Sequence, residues 1–366
     1  MRPLSARPEG ERRPSALDLL TLALLPGVAP RAIRVLAGRG PLGDVLRDPA
    51  AHADQLGAEA RSLLAKGEAR RRAEAETRRA EGLGVRIVGW DDGEYPALLR
   101  RIFDPPPVLY VRGSLHPDEG ERSVAVVGAR AATPVGRALA RAMARDLASW
   151  GATVVSGLAR GIDTAAHQGA LDAGGRTVAV LGCGIDRMYP RENAALADTL
   201  VGSGALVSEF PLGTPPLPPH FPRRNRIIAG WSRAVVVVEA AGRSGALNTA
   251  RTAVDEGRDV MAVPGHPSQP ASEGTNHLLR EGAALVRHAR DVAEELGFTV
   301  PAPPRLPDEA SSDQVLGALR ADAPLSLDDL QARCGLETPE LLARLTQLEL
   351  RDEVRRLPGA LFVRHH

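Results

Sequence analysis

Arginine, glycine and hydroxyl side chains recur in the turns that follow short apolar runs between residues 123 and 296. The apolar runs are rich in β-branched residues, which predicts buried strands, and each turn precedes a helical segment. Guanidinium groups form paired hydrogen bonds with phosphate, and the backbone N–H groups of glycine-rich turns converge on anions. The pattern therefore predicts a parallel sheet whose carboxyl edge holds phosphate groups.

The first of these turns, residues 128–136, lacks the second glycine of a dinucleotide-binding turn. Arg130 stands where a pyrophosphate would approach the backbone, which disfavours NAD and favours a direct contact between the guanidinium and a phosphate. The alternative for Arg130 is an ion pair on the surface.

Later turns combine hydroxyl groups, glycines and cations in the same way. Glycine tolerates positive φ, so these turns can point successive N–H groups at one anion. The candidates that they supply are Ser156, Gly157, Gly161, Arg191, Ser244 and Gly245. Asp163, at the start of the helix after SGLARG, is interpreted as a helix cap rather than a catalytic acid.

The segment FPRRNRIIAG holds the densest group of cations. Its candidates are Phe221, Arg223, Arg224, Asn225 and Arg226. Cations interleaved with aromatic rings are typical of proteins that bind single strands, since the cations contact phosphates and each stacked base is worth ~1–3 kcal/mol. The alternative is a set of core aromatics beside a solvated face of arginines.

Composition excludes several classes of function. The 366 residues carry a net charge of +1, so a nucleic-acid site must be a local patch. Lys66 is the single lysine and follows no strand, which excludes a P-loop. Cys183 and Cys334 show neither metal-site spacing nor a disulfide framework, so we expect no metal, no cofactor and a reducing cytoplasm. Asp18 interrupts the apolar run near the N-terminus, which disfavours a signal peptide. No apolar run is long enough to span a membrane.

The chain divides into five predicted segments. They are a disordered N-terminus (1–14), a helical domain (15–80), a doubly wound, mostly parallel sheet domain (81–298), a Pro-rich linker (299–312) and a winged-helix-like domain (313–366). The turn LPGV resembles a DNA-binding helix-hairpin-helix, but Ala29 replaces its second glycine, which favours a plain turn. Glu340 and Glu349 on the third C-terminal helix favour a protein contact there over duplex binding.

Six segments of the chain together resemble the bacterial DNA-processing protein A family, also called DprA or Smf. They are VAVVGARAATPVGRALA, VVSGLARGIDTAAHQGAL, AVLGCGIDRMYPRENAAL, LVSEFPLGTPPLPPHFPRRNRIIAGWS, VVVVEAAGRSGALNTARTAVDEGRDVMAVPG and GTNHLLREGA. The resemblance implies an extended Rossmann domain, a sterile-alpha-motif-like N-terminal domain, homodimerisation and interaction with the RecA recombinase. It assigns DNA binding to Arg130, Ser156, Gly157, Gly161, Arg191, Arg223, Arg224, Arg226, Ser244 and Gly245. Asn248 departs from the family, which more often has an apolar residue there.

Three hypotheses for function remain, of which the third is a scaffold protein whose sheet has lost its ligand. The first is a non-catalytic protein that binds single-stranded DNA and helps to load RecA during natural transformation or recombination. The second is a nucleotide hydrolase of the phosphoribohydrolase type. Such enzymes carry a GGGxGTxxE-type motif, whereas this chain reads AGRSGALNTA, and Glu209 and Glu239 have no evident catalytic partner. The first hypothesis predicts that Arg130→Ala and Arg224→Ala weaken DNA binding while the fold survives.

Overall fold

The computed structural model describes residues 14–116, 119–300, 314–320, 323–357 and 359–365. Except for Pro14, Thr299 and Val300, the predicted disordered N-terminus and Pro-rich linker lie outside these residues. The chain forms two compact units, Met1–Val300 and Pro301–His366, and each is described by itself.

The first unit is built on a nine-stranded sheet in the order β1-β2-β6-β5-β4-β3-β7-β8-β9. The strands are β1 (Arg86–Gly89), β2 (Val108–Gly113), β3 (Ser123–Val127), β4 (Thr153–Ser156), β5 (Thr177–Val180), β6 (Ala205–Ser208), β7 (Ala234–Val237), β8 (Asp259–Ala262) and β9 (Ala284–Leu285). All neighbouring pairs from β6 to β9 are parallel, whereas β1–β2 and β2–β6 are antiparallel. The predicted doubly wound, mostly parallel sheet is confirmed.

Helices cover both faces of this sheet. They are α1 (Ala16–Ala23), α2 (Pro30–Arg39), α3 (Leu42–Arg47), α4 (Ala58–Ala65), α5 (Glu68–Gly82), α6 (Ala97–Arg101), α7 (Pro134–Ser149), α8 (Ile162–Asp172), α9 (Ala194–Ser203), α10 (His220–Trp231), α11 (Gly245–Asp255), α12 (Glu273–Arg280) and α13 (Ala289–Leu296). Strand side chains alternate between the two faces. Val124 and Val126 therefore join one core with α7 and α8, while Ala125 and Val127 join the other with α10 and α11.

The N-terminal helices share the second of these cores. Leu19 of α1, Ile33 of α2 and Val88 of β1 are buried in the same apolar cluster as Val127 of β3. The predicted boundary at residue 80 thus falls near the end of α5, inside one compact unit. In the described parts of the chain, no helix is both long and apolar enough to cross a bilayer.

The chain order of the strands reverses between β3 and β7. Strands β3 to β6 follow one another across the sheet in one direction, and the chain then returns to place β7 on the other side of β3. Val124 pairs with Ala234 and Val127 with Val237, so both strands end at the same edge. In open α/β sheets, ligands bind outside the carboxyl ends of the strands at such a reversal.

The second unit is a small winged helix. Its elements are α14 (Gln314–Ala318), β10 (Leu325–Ser326), α15 (Leu327–Cys334), α16 (Thr338–Leu350), β11 (Val354–Leu357) and β12 (Leu361–Arg364). The antiparallel sheet β10-β12-β11 contributes Phe362 to the apolar cluster that also contains Leu345 of α16. Leu342 and Leu350 of α16 are 44% and 84% exposed. An apolar and acidic exposed face is unlike a groove-reading helix, which supports the prediction of a protein contact.

Candidate nucleic-acid interface

A cleft of about 670 Å³ opens at the carboxyl edge where the strand order reverses. The turns after β3 and β7 form two of its sides, and α10 and the N-terminus of α11 complete it. Its lining residues are Val127, Gly128, Ala129, Arg130, Ala159, Asp163, Tyr189, Pro216, Pro218, Phe221, Pro222, Arg224, Asn225, Ile228, Ala241, Arg243, Ser244, Gly245, Ala246, Asn248 and Thr249.

Two exposed arginines line this cleft from different turns. Arg130 comes from the turn after β3 and Arg243 from the turn after β7. Neither forms an ion pair with any residue of the described ranges, so both guanidinium groups keep donors for an external anion. The Arg130 guanidinium lies 5.0 Å from the centre of the Phe221 ring, which holds it over an aromatic face.

An aromatic pair lies beside these cations. The rings of Tyr189 and Phe221 have centroids 5.6 Å apart and are inclined by 45°. Tyr189 is 41% exposed, which is high for a tyrosine in a well-packed domain. Together with Arg130 the pair forms a surface on which a planar base can stack.

The N-terminus of α11 faces the cleft without an acidic cap. The Ser244 hydroxyl accepts a hydrogen bond from the Ala246 N–H at 3.3 Å, and the space around the Cα of Gly245 is open. The first turn of a helix presents free N–H groups and a partial positive charge, which suit a phosphate. Arg243 precedes this cap directly, so cation and helix terminus act on the same side of the cleft.

The N-termini of α7 and α8 already hold carboxylates. Glu239 accepts hydrogen bonds from the Thr133 hydroxyl and, at 2.9 Å, from the Thr133 N–H at the start of α7. Asp163, in the first turn of α8, accepts from the N–H groups of Gly157 at 3.1 Å and Ala159 at 3.4 Å. Of these three helix starts, α11 is the one that remains available to an external anion.

Arg224 is buried beneath the cleft rather than extended into it. Only 4% of the residue is exposed, and its Nη1 donates to the carbonyl of Gly157 at 2.7 Å and to that of Val180. Gly157 directly follows β4 and Val180 is the last residue of β5, so the guanidinium links the two strand ends. Burial lowers the Arg224 pKa to about 10, and Asp163 opposes this shift, so the group stays charged at neutral pH.

Two predicted glycines make room for this packing. A Cβ on Gly157 would lie 2.5 Å from Nη1 of Arg224, so a side chain there would displace the guanidinium. Gly161 has φ +78°, and a Cβ there would overlap the carbonyl oxygen of Ala129. Gly161 therefore lets the SGLARG turn pack against the turn after β3, which carries Arg130.

Arg223 and Arg226 point away from the cleft. Both donate to Oε2 of Glu209, at 2.8 Å and 2.6 Å. The Glu209 side chain is 1% exposed. In addition, the Nε of Arg226 lies 3.6 Å from a carboxylate oxygen of Asp104. The charges of these two arginines are therefore largely balanced inside the protein.

Ser156 and Arg191 also lie apart from the cleft lining. Ser156 is fully buried, and its hydroxyl donates to the carbonyl of Val126 at 2.7 Å. Arg191 is exposed at the start of a short 3₁₀ turn and does not line the cleft. Among the predicted site residues, those that line the cleft are Arg130, Phe221, Arg224, Asn225, Ser244 and Gly245, and Gly157 lines a smaller pocket beside it.

Sequence reasoning left out Arg243, Tyr189 and Thr249 as site residues, although all three line the cleft. Arg243 carries the same signal as Arg130, a cation in a turn between a strand and a helix. Tyr189 belongs to a different turn from Phe221, and only the folded chain brings their rings together. Thr249 lies inside α11, where its sequence position indicates no role.

Each of the two units matches a known family of protein domains. Residues 86–297 match the family model for DNA recombination-mediator protein A, and residues 299–360 match that for the DprA winged helix domain. Protein Smf of Escherichia coli K12 is 43% identical over 284 residues, which cover 75% of this chain and 76% of that protein. DNA processing protein DprA of Streptococcus pneumoniae R6 is 45% identical over 207 residues, or 57% of this chain and 73% of that protein.

Two solved structures agree with these matches. The X-ray structure of DprA from S. pneumoniae has a TM-score of 0.66 and 35% identity, and the match covers 78% of this chain and 99% of that one. DNA processing protein A from Helicobacter pylori, solved for its single-stranded DNA binding mode, has a TM-score of 0.51 and 30% identity over 55% of this chain and 92% of that one. The chain therefore belongs to the DNA recombination-mediator protein A family, also known as DprA or Smf.

Proposed function

We propose that this protein binds single-stranded DNA in the cleft at the strand-order reversal, without catalysis, and acts as a recombination mediator. The observation that carries the proposal is the placement of Arg130 and Arg243, two exposed arginines that form no ion pair with a described residue, beside the N-terminus of α11. Three sources of positive potential thus converge on one cleft of a chain that is otherwise nearly neutral.

The lining of the cleft favours a single strand over a duplex. Tyr189 and Phe221 offer ring faces that can stack only on bases that are already unpaired. The cations and N–H groups can bind phosphate, and contacts with phosphate do not distinguish one base sequence from another. We therefore expect binding to any sequence and an affinity that falls steeply with salt.

The carboxylates near the cleft do not support hydrolysis. Asp163 is buried and accepts backbone hydrogen bonds, and Glu239 caps the start of α7. A general base must reach a water or a substrate proton, and these groups are committed to structural hydrogen bonds. Within the described ranges, no group of three His, Cys, Asp or Glu residues could hold a metal ion.

The biological role that we propose is delivery of the bound strand to a RecA-type recombinase in the cytoplasm. A homodimer would place two clefts on one strand and raise the overall affinity through effective concentration. The relation to DprA of H. pylori, solved for its single-stranded DNA binding mode, supports the ligand in this proposal. RecA loading and the dimer are expectations from the family.

Fluorescence anisotropy with a labelled oligothymidylate tests the cleft. The double variant Arg130→Ala/Arg243→Ala should bind about 30- to 160-fold more weakly, since each arginine provides a charge-assisted hydrogen bond worth ~1–1.5 kcal/mol. The slope of log affinity against log salt should become shallower by about 0.7 for each phosphate that the variant no longer neutralises.

A matched control removes the same charge elsewhere. Arg78 and Arg280 are exposed and form no ion pair with a described residue, so Arg78→Ala/Arg280→Ala lowers the net charge equally. Equal binding by the two double variants would contradict the cleft as the site. Release of a nucleobase from a nucleoside monophosphate by the unaltered protein would instead favour the hydrolase.

A further inference from the structure

An exposed ion pair lies beside the DNA cleft. Arg160, in the turn between β4 and α8, donates from Nε to one carboxylate oxygen of Glu192 and from Nη2 to the other, at 3.0 Å. Arg160 also lines the smaller pocket, of about 40 Å³, together with Arg130, Tyr189 and Phe221. Those three residues line the cleft as well, so the smaller pocket continues the cleft towards the ion pair.

The Arg160–Glu192 pair has the hydrogen-bonding pattern of a phosphate contact. Two N–H groups of a planar guanidinium bond to two oxygens, and the same fork binds a phosphate. The hydrogen bond from Arg160 lowers the pKa of Glu192, so the carboxylate is ionised at neutral pH. Glu192 therefore accepts the hydrogen bonds that Arg160 would otherwise offer to a phosphate of a bound strand.

Exposure separates this pair from the arginines that Glu209 holds. The side chains of Arg160 and Glu192 are 64% and 52% exposed, whereas that of Glu209 is 1% exposed. Ion pairs between exposed side chains contribute little to stability, because water solvates both partners and salt screens their attraction. A phosphate can therefore displace the Glu192 carboxylate, which water then solvates, whereas a displaced Glu209 would stay buried without its partners.

The two turns that carry the ion pair are held by other hydrogen bonds. Asn193 is buried in the same 3₁₀ turn as the carboxylate, and its side-chain amide donates to the Leu158 carbonyl at 2.8 Å and to the Thr164 hydroxyl at 2.9 Å. The Thr164 hydroxyl in turn donates to the carbonyl of Ala159, the residue before the arginine, at 2.7 Å. Opening the ion pair therefore requires only two side chains to rotate, while both turns keep their positions.

We propose that Glu192 is an internal competitor of DNA: a phosphate of the bound strand displaces its carboxylate from Arg160, which then joins Arg130 and Arg243 in the interface. The inference rests on the proposed function, because it extends the path of the strand from the cleft past Tyr189. In the free protein the ion pair is closed, and the Glu192 charge also repels the approaching phosphates. Glu192 thereby lowers the affinity for single strands below the value that the arginines alone would give.

Oligothymidylate anisotropy with the variant Glu192→Gln tests this exchange. The variant frees Arg160 before the strand arrives, so the association constant should rise about three- to tenfold. The slope of log affinity against log salt should become steeper by about 0.7, since one more phosphate is neutralised without release of a carboxylate. Thermal unfolding should match that of the unaltered protein, because both side chains are exposed.

The variant Asp172→Asn is a matched control. Asp172 forms a two-bond pair of the same kind with Arg141, at 2.6 Å and 2.9 Å, and neither residue lines the cleft or the smaller pocket. Asp172 ends α8 whereas Arg160 precedes its start, so about 16 Å of helix separates them. The control changes the net charge equally, and the affinity should stay within about twofold because salt screens so distant a charge.

A double-mutant cycle separates exchange from simple repulsion. Arg160→Ala should weaken oligothymidylate binding about three- to tenfold, since the strand loses a guanidinium contact and meets an unpaired carboxylate. In the Arg160→Ala background, Glu192→Gln should raise the association constant by less than about twofold, because no guanidinium remains to be released.

Three results would overturn the inference. They are an effect of Glu192→Gln no larger than that of Asp172→Asn, weaker binding by Glu192→Gln, and an equal rise with and without Arg160. The second result would assign the ion pair a structural role, and the third would show repulsion without exchange. Failure of the proposed function appears in a different comparison, since Arg130→Ala/Arg243→Ala and its control would then bind equally.

Discussion

The arginines around the carboxyl edge of the sheet form two groups with different surroundings. Arg130 and Arg243 are exposed and have no carboxylate partner in the described chain. Arg223, Arg224 and Arg226 are held by Glu209 or by backbone carbonyls of the strand ends. The first group can offer its hydrogen bonds to a ligand, whereas the second already donates them within the protein. Residue type alone therefore does not identify a phosphate-binding arginine.

The same difference corrects one expectation from the sequence. Arg224→Ala was expected to weaken DNA binding while the fold survived. Because Arg224 is buried and bonded to Gly157 and Val180, its loss leaves carbonyls without donors and Asp163 without its nearby cation. The variant should lose stability first.

The largest effect should come from Arg224→Ala. Removing one partner of a buried charged network costs about 3–5 kcal/mol. Urea denaturation should show this loss in the free energy of unfolding, and Arg224→Lys should recover part of it because a lysine retains the charge but not both hydrogen bonds. Unchanged stability in Arg224→Ala would show that Arg224 has no structural role and would contradict its separation from the exposed arginines.

The next effect concerns the pH dependence of stability. His167 is fully buried, and its Nδ1 lies 2.7 Å from the Thr177 hydroxyl, which itself donates to the carbonyl of Val154. Burial, and secondarily Arg224, lowers the His167 pKa from 6.5 to about 3. Between these values the unfolded chain binds the proton and the folded chain does not. The contribution of His167 is therefore complete above pH 6.5 and falls by up to about 1.4 kcal/mol per pH unit below it.

The variant His167→Asn tests this dependence, since an asparagine can keep a donor near the Thr177 hydroxyl without titrating. Urea denaturation at several pH values from 7 to 4 should show a shallower loss of stability in the variant. Parallel curves for the two proteins would show that burial, with Arg224 nearby, does not lower the His167 pKa in the folded chain.

A smaller effect is expected for Phe221→Ala on DNA binding. The ring supports the Arg130 guanidinium and offers a stacking face, so its loss should weaken oligothymidylate binding by about 1–2 kcal/mol, or about 5- to 30-fold. The salt dependence should stay nearly unchanged because the variant keeps every cation that faces a phosphate. A shallower salt slope would show instead that the ring acts only by positioning Arg130.

The smallest effect should come from Arg223→Ala. Its charge is already balanced by Glu209, and it does not line the cleft. Oligothymidylate affinity should change by less than about twofold, because the variant keeps the two exposed arginines that line the cleft. A tenfold loss in the same anisotropy assay would show that the DNA also contacts Arg223. The distinction between ligand-binding arginines and those paired inside the protein would then be wrong.

Local pattern was enough to predict the sheet and the edge that carries the site. Apolar runs such as that of residues 123–127 are buried on both sides, as a central parallel strand requires, and the turns after them do meet at one edge. Arg130 and Ser244 lie in turns between a strand and a helix, and Gly245 begins α11, so their approach to the cleft follows from that connectivity.

The partners of each cation did not follow from the sequence. Glu209 directly follows β6 and contacts Arg223 and Arg226 only because the chain returns along α10. Ser156 faces the neighbouring strand, where its hydroxyl is bonded to Val126. Such contacts join residues far apart in the chain, and no local periodicity reports them.

The sequence by itself determined the doubly wound sheet, the family and the positions of its phosphate-type turns, because strand period and turn chemistry are local properties. Tertiary structure alone decided which arginines remain available for a ligand and that Arg243 and Tyr189 join them. The physical reason is that a guanidinium forms hydrogen bonds with whichever acceptors the fold brings within reach. It is available to a ligand without displacing a partner only where the fold brings no internal acceptor close to it.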